Sequence, residues 1–241
     1  LIAILGLTAF WLYEKRVLSP MLDFDLFKIK AFLYGNILGV FAYTSQVFIT
    51  FLIPFYLERL LLFSPAYSGL LMTIPPITMA LTAPIAGSLS DKYGPGRLTS
   101  ISFLVLFCAH LLFSGLGDKV SIYYLIFSLF LAGMGMGLFG SPNNSSILGS
   151  IPPYKSGYAG GFISTIRNFC FSIGIALSAS IFSYTLRLNE PTLDYAASYT
   201  AANQVVYLVG AGLTLTGLII SLLTKTSRSR ESANLEPEKT Q

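Results

Sequence analysis

The sequence predicts an all-α membrane protein. Of its 241 residues, 54% are hydrophobic and only 11% are charged, whereas a soluble domain carries about 25% charged residues. Six long apolar stretches alternate with short polar segments, and a helix of about 20 apolar residues crosses the hydrocarbon core of a bilayer. We therefore expect six transmembrane spans, at 32–56, 67–89, 98–116, 120–139, 158–184 and 205–223.

The spans form one predicted bundle at 32–224, with a different segment on each side. Residues 1–31 are interpreted as the end of a linker helix, 1–13, and a polar connector. That first apolar run is shorter than the roughly 20 residues a span needs, and the chain starts at a Leu, so we interpret it as the C-terminal part of a longer protein. Residues 225–241 are expected to be a disordered tail. Turns are predicted at 91–97 and 117–119, and longer polar loops at 141–156 and 187–203.

The basic residues between the spans predict the orientation of the bundle. They concentrate in alternate connections, and loops rich in Lys and Arg stay in the cytoplasm. The connector, the 91–97 turn, the 141–156 loop and the tail are therefore predicted to be cytoplasmic. These segments contain Lys15, Arg16, Lys28, Lys30, Lys92, Arg97, Lys155, Lys225, Arg228, Arg230 and Lys239, against Arg59, Lys119 and Arg187 in the opposite group.

Several functional classes are disfavoured by the composition. A net charge of +4 comes from bases scattered over loops and the tail, which does not form the continuous patch typical of nucleic-acid binding. The Cys and His residues lack the spacing of a metal site. An intramembrane enzyme would need an acid pair or a nucleophile beside a base, and no Asp or Glu lies inside a span. We expect no enzyme activity, metal or organic cofactor.

Two polar stripes mark candidate cavity walls. Asn36, Tyr43, Gln46 and Thr50 fall on about a quarter of the circumference of the first span at 100° per residue. Such a stripe indicates either a cavity wall or hydrogen bonding between helices. Arg167 lies well inside the fifth span, where a charge is costly and usually faces a bundle interior or a wet cavity. Either it lines a substrate path, or it is a structural Arg satisfied by neighbouring carbonyls; on the same side of this span lie Ser164, Asn168 and Ser178.

Glycines and a single histidine stand out in the remaining spans. Gly133 and Gly137 form a small-xxx-small face, which predicts close packing against another backbone. Met134 and Met136 could add an adaptable surface for apolar ligands. His110 is expected to be a packed, hydrogen-bonded residue and not a proton carrier.

The 87–97 segment resembles the loop signature of the major facilitator superfamily. That signature has Gly, three residues, Asp, a basic residue, any residue, Gly and then further bases. Its counterparts here are Gly87, Asp91, Lys92, Gly94 and Arg97, with Pro95-Gly96 inserted before the last base.

Other stretches resemble the fourteen-span drug:proton antiporter branch of that superfamily, and together they cover nearly the whole chain. They are Glu14 with Pro20-Met-Leu-Asp23 and Leu26-Phe27; Phe55-Tyr-Leu-Glu58, Ser64-Pro-Ala-Tyr-Ser-Gly69, Pro75 and Pro84; and Gly133-x-Gly135-x-Gly137, Ser141-Pro142, Pro152, Gly157 and Thr165-x-Arg167.

The resemblance implies the C-terminal six-helix bundle of a transporter of the cell membrane, with its C-terminus cytoplasmic. Its partners would be protons, a small-molecule substrate, the bilayer and an N-terminal six-helix half of the same protein. Such proteins export drug-like or amphipathic compounds by alternating access, driven by the proton gradient. The family's coupling acids lie largely in the other half, and spans one, two, four and five line the central cavity. The alternatives are a transporter of a specific metabolite on the same fold, and a membrane receptor or scaffold that transports nothing.

On this resemblance the 87–97 turn has a conformational role. Asp91 would sit near the N-terminal end of the third span or pair with a base, and Lys92 and Arg97 would contact anionic headgroups. Gly94 and Gly96 are expected to permit the tight backbone. If such contacts exist in only one access state, the turn biases the equilibrium between states; otherwise it only helps to set the topology.

Overall fold

A computed structural model describes residues 24–189 and 194–235. The predicted linker helix at 1–13 and most of the connector lie outside the described residues, as do 190–193 and 236–241. Within the described ranges all regular elements are helical. The seven α-helices are α1 (Lys30–Phe55), α2 (Pro65–Met72), α3 (Ile74–Tyr93), α4 (Pro95–Ser114), α5 (Ile122–Leu148), α6 (Ser156–Asn189) and α7 (Tyr195–Leu235).

Six helical segments of this part of the chain are long and apolar enough to cross a membrane, as predicted. The first is α1 with a π-helical turn at Tyr56–Leu60, and the second joins α2 and α3. A break at Thr73 separates these two helices. Pro75 and Pro76 follow the break, where the first turn of α3 requires no backbone donors from them.

Two predicted loops are largely helical, and both predictions were wrong. The fourth span continues through the expected 141–156 loop as far as Leu148, with Pro142 inside the helix. A polar residue of this stretch bonds to a neighbouring helix: Asn143 donates from Nδ2 to the carbonyl oxygen of Gly35 on α1 at 3.2 Å. The expected 187–203 loop is also reduced, because α6 runs to Asn189 and α7 begins at Tyr195.

Helix α7 continues to Leu235, into the segment expected to form the tail, and disorder of the tail stays a prediction. No Gly or Pro occurs between residues 218 and 235, so nothing in that stretch interrupts a helix.

The predicted 91–97 turn is reduced to a single residue. Asp91 and Lys92 belong to the last turn of α3, and α4 begins at Pro95. Gly94 between them has φ +85°, a conformation that glycine adopts at no steric cost. Gly96 lies within the first turn of α4 without a positive φ, so its expected role in the turn was wrong.

Close packing holds α5 against α3, as the glycine pattern predicts. A Cβ added at Gly133 would overlap the carbonyl oxygen of Pro75. A Cβ added at Gly137 would lie 2.8 Å from the Cβ of Thr82 and 3.0 Å from the carbonyl oxygen of Met79. On the opposite face of α5, Gly135 accommodates Leu106 of α4. The rotational setting of α5 is therefore fixed by its glycines.

The six spans differ in how much surface they bury. Most of α1 is buried in the bundle, whereas α3 and α6 expose most of their surfaces. We call the end of the bundle that holds Lys92, Gly94 and Arg97 the basic end, and the end that holds Gly117 and Asp118 the opposite end. Tyr56 joins two elements at the opposite end by donating to the carbonyl oxygen of Gly117 at 2.7 Å.

Replacing Gly137 by Val should destabilise the bundle by about 1–3 kcal/mol, because the added methyl groups overpack the contact with α3. The matched control is Gly140→Val on the same helix, where an added Cβ meets nothing within 4 Å. Thermal unfolding of the purified protein in detergent measures the difference. Equal midpoints for the two variants would contradict the packing described here.

Candidate substrate cavity

A cavity of about 400 Å³ lies between α1, α3, α5 and α6. The four helices belong to the first, second, fourth and fifth spans, which the resemblance implied as cavity walls. Its lining residues are Tyr43, Gln46, Val47, Thr50, Met79, Ala83, Met136, Gly137, Gly140, Ser141, Asn144, Arg167 and Phe171. Thr50, Met79, Arg167 and Phe171 are exposed, so the cavity opens toward the uncovered faces of α3 and α6.

Two carbonyl oxygens of the cavity have no protein partner among the described residues. They are Oε1 of Gln46 and Oδ1 of Asn144, and both atoms are buried. A buried acceptor without a hydrogen bond costs about 1–3 kcal/mol. Water or a ligand with N–H or O–H groups would remove that penalty. Gln46 and Asn144 therefore each contribute one acceptor without a protein partner among the described residues.

Arg167 supplies the one positive charge of the cavity lining. It lies eleven residues into α6, or about 16 Å along the helix. It forms no ion pair among the residues that the structure describes. A guanidinium presents five donors in a planar fork. This group complements the two carbonyl oxygens, since it prefers a ligand that offers acceptors.

The rest of the lining is apolar and partly aromatic. Tyr43 and Phe171 provide rings, while Met79 and Met136 provide flexible thioethers. Tyr43 itself is buried and packs edge-on against Phe139, with ring centroids 5.8 Å apart. This combination can hold a flat amphipathic molecule by ring contact and orient it by a few polar groups.

Four of the predicted cavity residues line this space together: Tyr43, Gln46, Thr50 and Arg167. Ser164 and Asn168 share α6 with Arg167 but do not line the cavity. Met134 does not line it either, and its place is taken by Met136. Ser178 is buried and donates to the carbonyl oxygen of Ile175.

Asn36 belongs to the predicted stripe but not to the cavity lining. It is buried, and its Nδ2 donates to the carbonyl oxygen of Phe32 one turn earlier, at 2.8 Å. That bond uses one N–H of the side chain within its own helix.

Sequence reasoning missed several lining residues. Ser141 and Asn144 were assigned to a loop, so their position on a helix face was not considered. Met79 and Phe171 carry no polar signal, although Phe171 lies one helical turn after Arg167 and could have been found by that spacing.

The residues of the signature segment lie at the basic end. Lys92, Gly94 and Arg97 line a second cavity, of about 380 Å³, with Asn143 and Ser221 among the other walls. Lys92 packs over the ring of Tyr93, 5.3 Å from its centroid. Asp91 is exposed and forms no ion pair among the described residues. Gly87 allows α3 to approach Ser141 of α5. A conformational role for this segment stays a prediction.

Asn143 and Asn144 are neighbours with opposite expected responses to substitution by Leu. Asn143→Leu removes the hydrogen bond to Gly35 and should lower the unfolding free energy by about 1–3 kcal/mol. Asn144→Leu should leave stability unchanged or raise it, because the lost Oδ1 has no partner. Thermal unfolding of the two variants in detergent checks this. Equal destabilisation of both would show that Asn144 also holds the fold.

Known proteins have sequences similar to this chain. A protein-family model described as Major Facilitator Superfamily matches residues 36–241. The riboflavin transporter RibZ of Clostridioides difficile is 39% identical over 233 residues, which are 93% of this chain and 51% of that protein. The lincomycin resistance protein LmrB of Listeria monocytogenes is 26% identical over 238 residues, 93% of this chain and 50% of that protein.

A third similar protein is the uncharacterized transporter YebQ of Escherichia coli, 32% identical over 170 residues, 69% of this chain and 37% of that protein. The chain thus spans about half the length of the first two of these relatives. Its six apolar helices fit half of such a transporter. The chain belongs to the major facilitator superfamily of membrane transporters.

Proposed function

We propose that the whole protein transports a flat, polar heteroaromatic metabolite across the membrane by alternating access. The observation that carries this proposal is the pairing of two unpartnered acceptors, on Gln46 and Asn144, with the guanidinium of Arg167 in one cavity. A site built to hydrogen-bond its ligand discriminates strongly against molecules that lack the matching groups, because its polar atoms would then stay unpaired.

The cavity also suits the size and shape of such a cargo. Its volume of about 400 Å³ lies within the range of about 300–1,000 Å³ typical of small-molecule sites. Tyr43 and Phe171 offer ring surfaces on which a fused ring system can pack. The similarity to a riboflavin transporter supports a flavin-like cargo, since a flavin combines a flat ring system with donors and acceptors.

A second candidate is export of drug-like amphipathic compounds. Met79 and Met136 favour it, because flexible thioethers adapt to varied apolar ligands. The similarity to a lincomycin resistance protein supports it as well. The two candidates differ in selectivity. A metabolite transporter should accept only compounds with the donor and acceptor pattern of its cargo, whereas a drug exporter should accept many compounds with different patterns.

The remaining features of the proposal come from the sequence resemblance. Transport is driven by the proton gradient, and the basic end faces the cytoplasm together with the C-terminus of a cell-membrane protein. A second six-helix half covers the exposed faces of α3 and α6 and completes the cavity. No organic cofactor takes part.

Transport of riboflavin by the whole protein in proteoliposomes tests the proposal. Gln46→Leu and Arg167→Ala should each lower the transport rate about tenfold or more, as expected when a buried polar contact worth about 1.4 kcal/mol or more is lost. Asn168→Ala is the matched control for Arg167→Ala, since Asn168 is exposed on the same helix outside the cavity lining.

The outcomes separate the candidates. Riboflavin transport that collapses with an uncoupler supports a proton-driven metabolite transporter. If the protein does not transport riboflavin but exports several unrelated cationic dyes in an uncoupler-sensitive way, the drug exporter is the better assignment and the metabolite transporter is rejected. If the protein moves neither class of compound, the transport proposal fails.

A further inference from the structure

His110 is fully buried in the middle of α4 and contacts two backbone carbonyl groups. Its Nδ1 lies 2.8 Å from the carbonyl oxygen of Leu106, one turn earlier on the same helix. Its Nε2 lies 3.0 Å from the carbonyl oxygen of Ser45 on α1. The sequence predicts a packed, hydrogen-bonded histidine that is not a proton carrier. The structure confirms the packing and the hydrogen bonds, and a proton-binding role would contradict the rest of that expectation.

Helix α7 confines the ring between these two carbonyl groups. Gly210 lies directly on the imidazole: a Cβ added there would overlap the ring carbon Cδ2 and lie 2.7 Å from Nε2. Any larger residue at this position would force the ring to move. The contact therefore keeps both ring nitrogens in place against their carbonyl oxygens.

This arrangement suits a protonated ring better than a neutral one. A neutral imidazole carries one N–H, and the other nitrogen is an acceptor. A carbonyl oxygen can only accept, so the neutral ring can satisfy just one of its two contacts. The imidazolium donates from both nitrogens and satisfies both. The two carbonyl contacts thus favour a bound proton.

No charged side chain of the described residues interacts with the ring. The core clusters that flank it contain Tyr43 and Tyr56 of α1 and Tyr199 and Tyr207 of α7. Neighbouring α5 contributes Tyr124, and α3 has no titratable residue before Asp91. The other titratable group in the middle of α4 is the exposed Cys108. An unpaired cation at this depth is costly, so burial favours the neutral ring and opposes the two carbonyl contacts, which favour the protonated one.

A stripe of unpartnered polar atoms leads from the opposite end of the bundle toward His110. The hydroxyl groups of Tyr199 and Tyr207 and both amide atoms of Asn203 are buried without hydrogen-bond partners among the described residues. Spacing of four residues places all three side chains on one face of α7. Gly210 follows three residues later, so the stripe covers about 16 Å of helix up to the ring.

Water is the simplest partner for these atoms. A buried water typically makes about three hydrogen bonds to polar groups that would otherwise be unsatisfied. Four such atoms lie along this face of α7. A file of waters would connect His110 with the end of the bundle where Tyr56 bonds to Gly117.

We propose that His110 is a reversible proton-binding site within the membrane, reached by water along Tyr199, Asn203 and Tyr207. The bound proton ties α4 to α1 through Ser45, and its loss releases one of the two contacts. The site lies apart from the cargo cavity and shares no residue with it. A role in coupling rests on the proton-driven transport proposed above, whereas proton binding itself does not.

Nuclear magnetic resonance of ¹⁵N-histidine-labelled protein tests the proposal directly. His110 is the only histidine of this chain, and comparison with His110→Gln identifies its signals in the whole protein. Both ring nitrogens should carry protons at the low end of the range from about pH 4 to pH 9, and only one should at the high end. A single protonation state from about pH 4 to pH 9 would overturn the proposal.

The water route has its own variant and control. Asn203→Leu combined with Tyr207→Phe should slow the exchange of the ring N–H protons with solvent several-fold. Tyr195→Phe, at an exposed position of the same helix, should leave the exchange rate unchanged. Equal exchange in the wild type and the stripe variant would overturn the route. Because no cargo is involved, a negative result here leaves the proposed transport standing, and failed transport leaves this proposal standing.

Discussion

The bilayer interior offers no hydrogen-bond partners, and the roles of the polar residues of this protein follow from that constraint. Most polar side chains in the helices satisfy themselves by bonding back to their own helix. Thr78 and Thr82 each donate to the carbonyl oxygen one turn earlier, at 2.8 and 2.7 Å. Asn36 does the same. Such bonds use the donor of the side chain within its own helix.

Apart from the hydroxyl of Ser68 on α2, the buried unpartnered polar atoms of the described residues lie in two separate places. One set, Gln46 and Asn144, lines the cavity beside Arg167. The other set lies along α7 inside the bundle and ends at His110. On the account proposed here, the first set meets cargo and the second meets water and a proton. A transporter can couple two such sites if both bias the same change in helix packing.

The spans and four of the thirteen residues that line the cavity could be predicted from the sequence, because hydropathy and helical spacing carry that information. Gln46 and Arg167 were found in this way. Asn144 was missed because a polar run containing Pro142 resembles a loop, although α5 passes through it. Met136 lines the cavity and Met134 does not, because Gly133 and Gly137 fix the rotation of α5 against α3. Such packing depends on contacts between distant parts of the chain, so a local sequence pattern does not predict it.

Substituted-cysteine accessibility most directly tests the central claim that unpartnered polar positions face cargo and self-bonded ones do not. In a background with Cys108 and Cys170 replaced by Ala, single cysteines at Gln46, Asn144 and Asn36 are exposed to a membrane-impermeant thiol reagent. The account predicts rapid labelling at Gln46 and Asn144, slowed by riboflavin or another transported cargo, and little labelling at Asn36. Equal labelling of all three positions, or labelling at Asn36 alone, would contradict it.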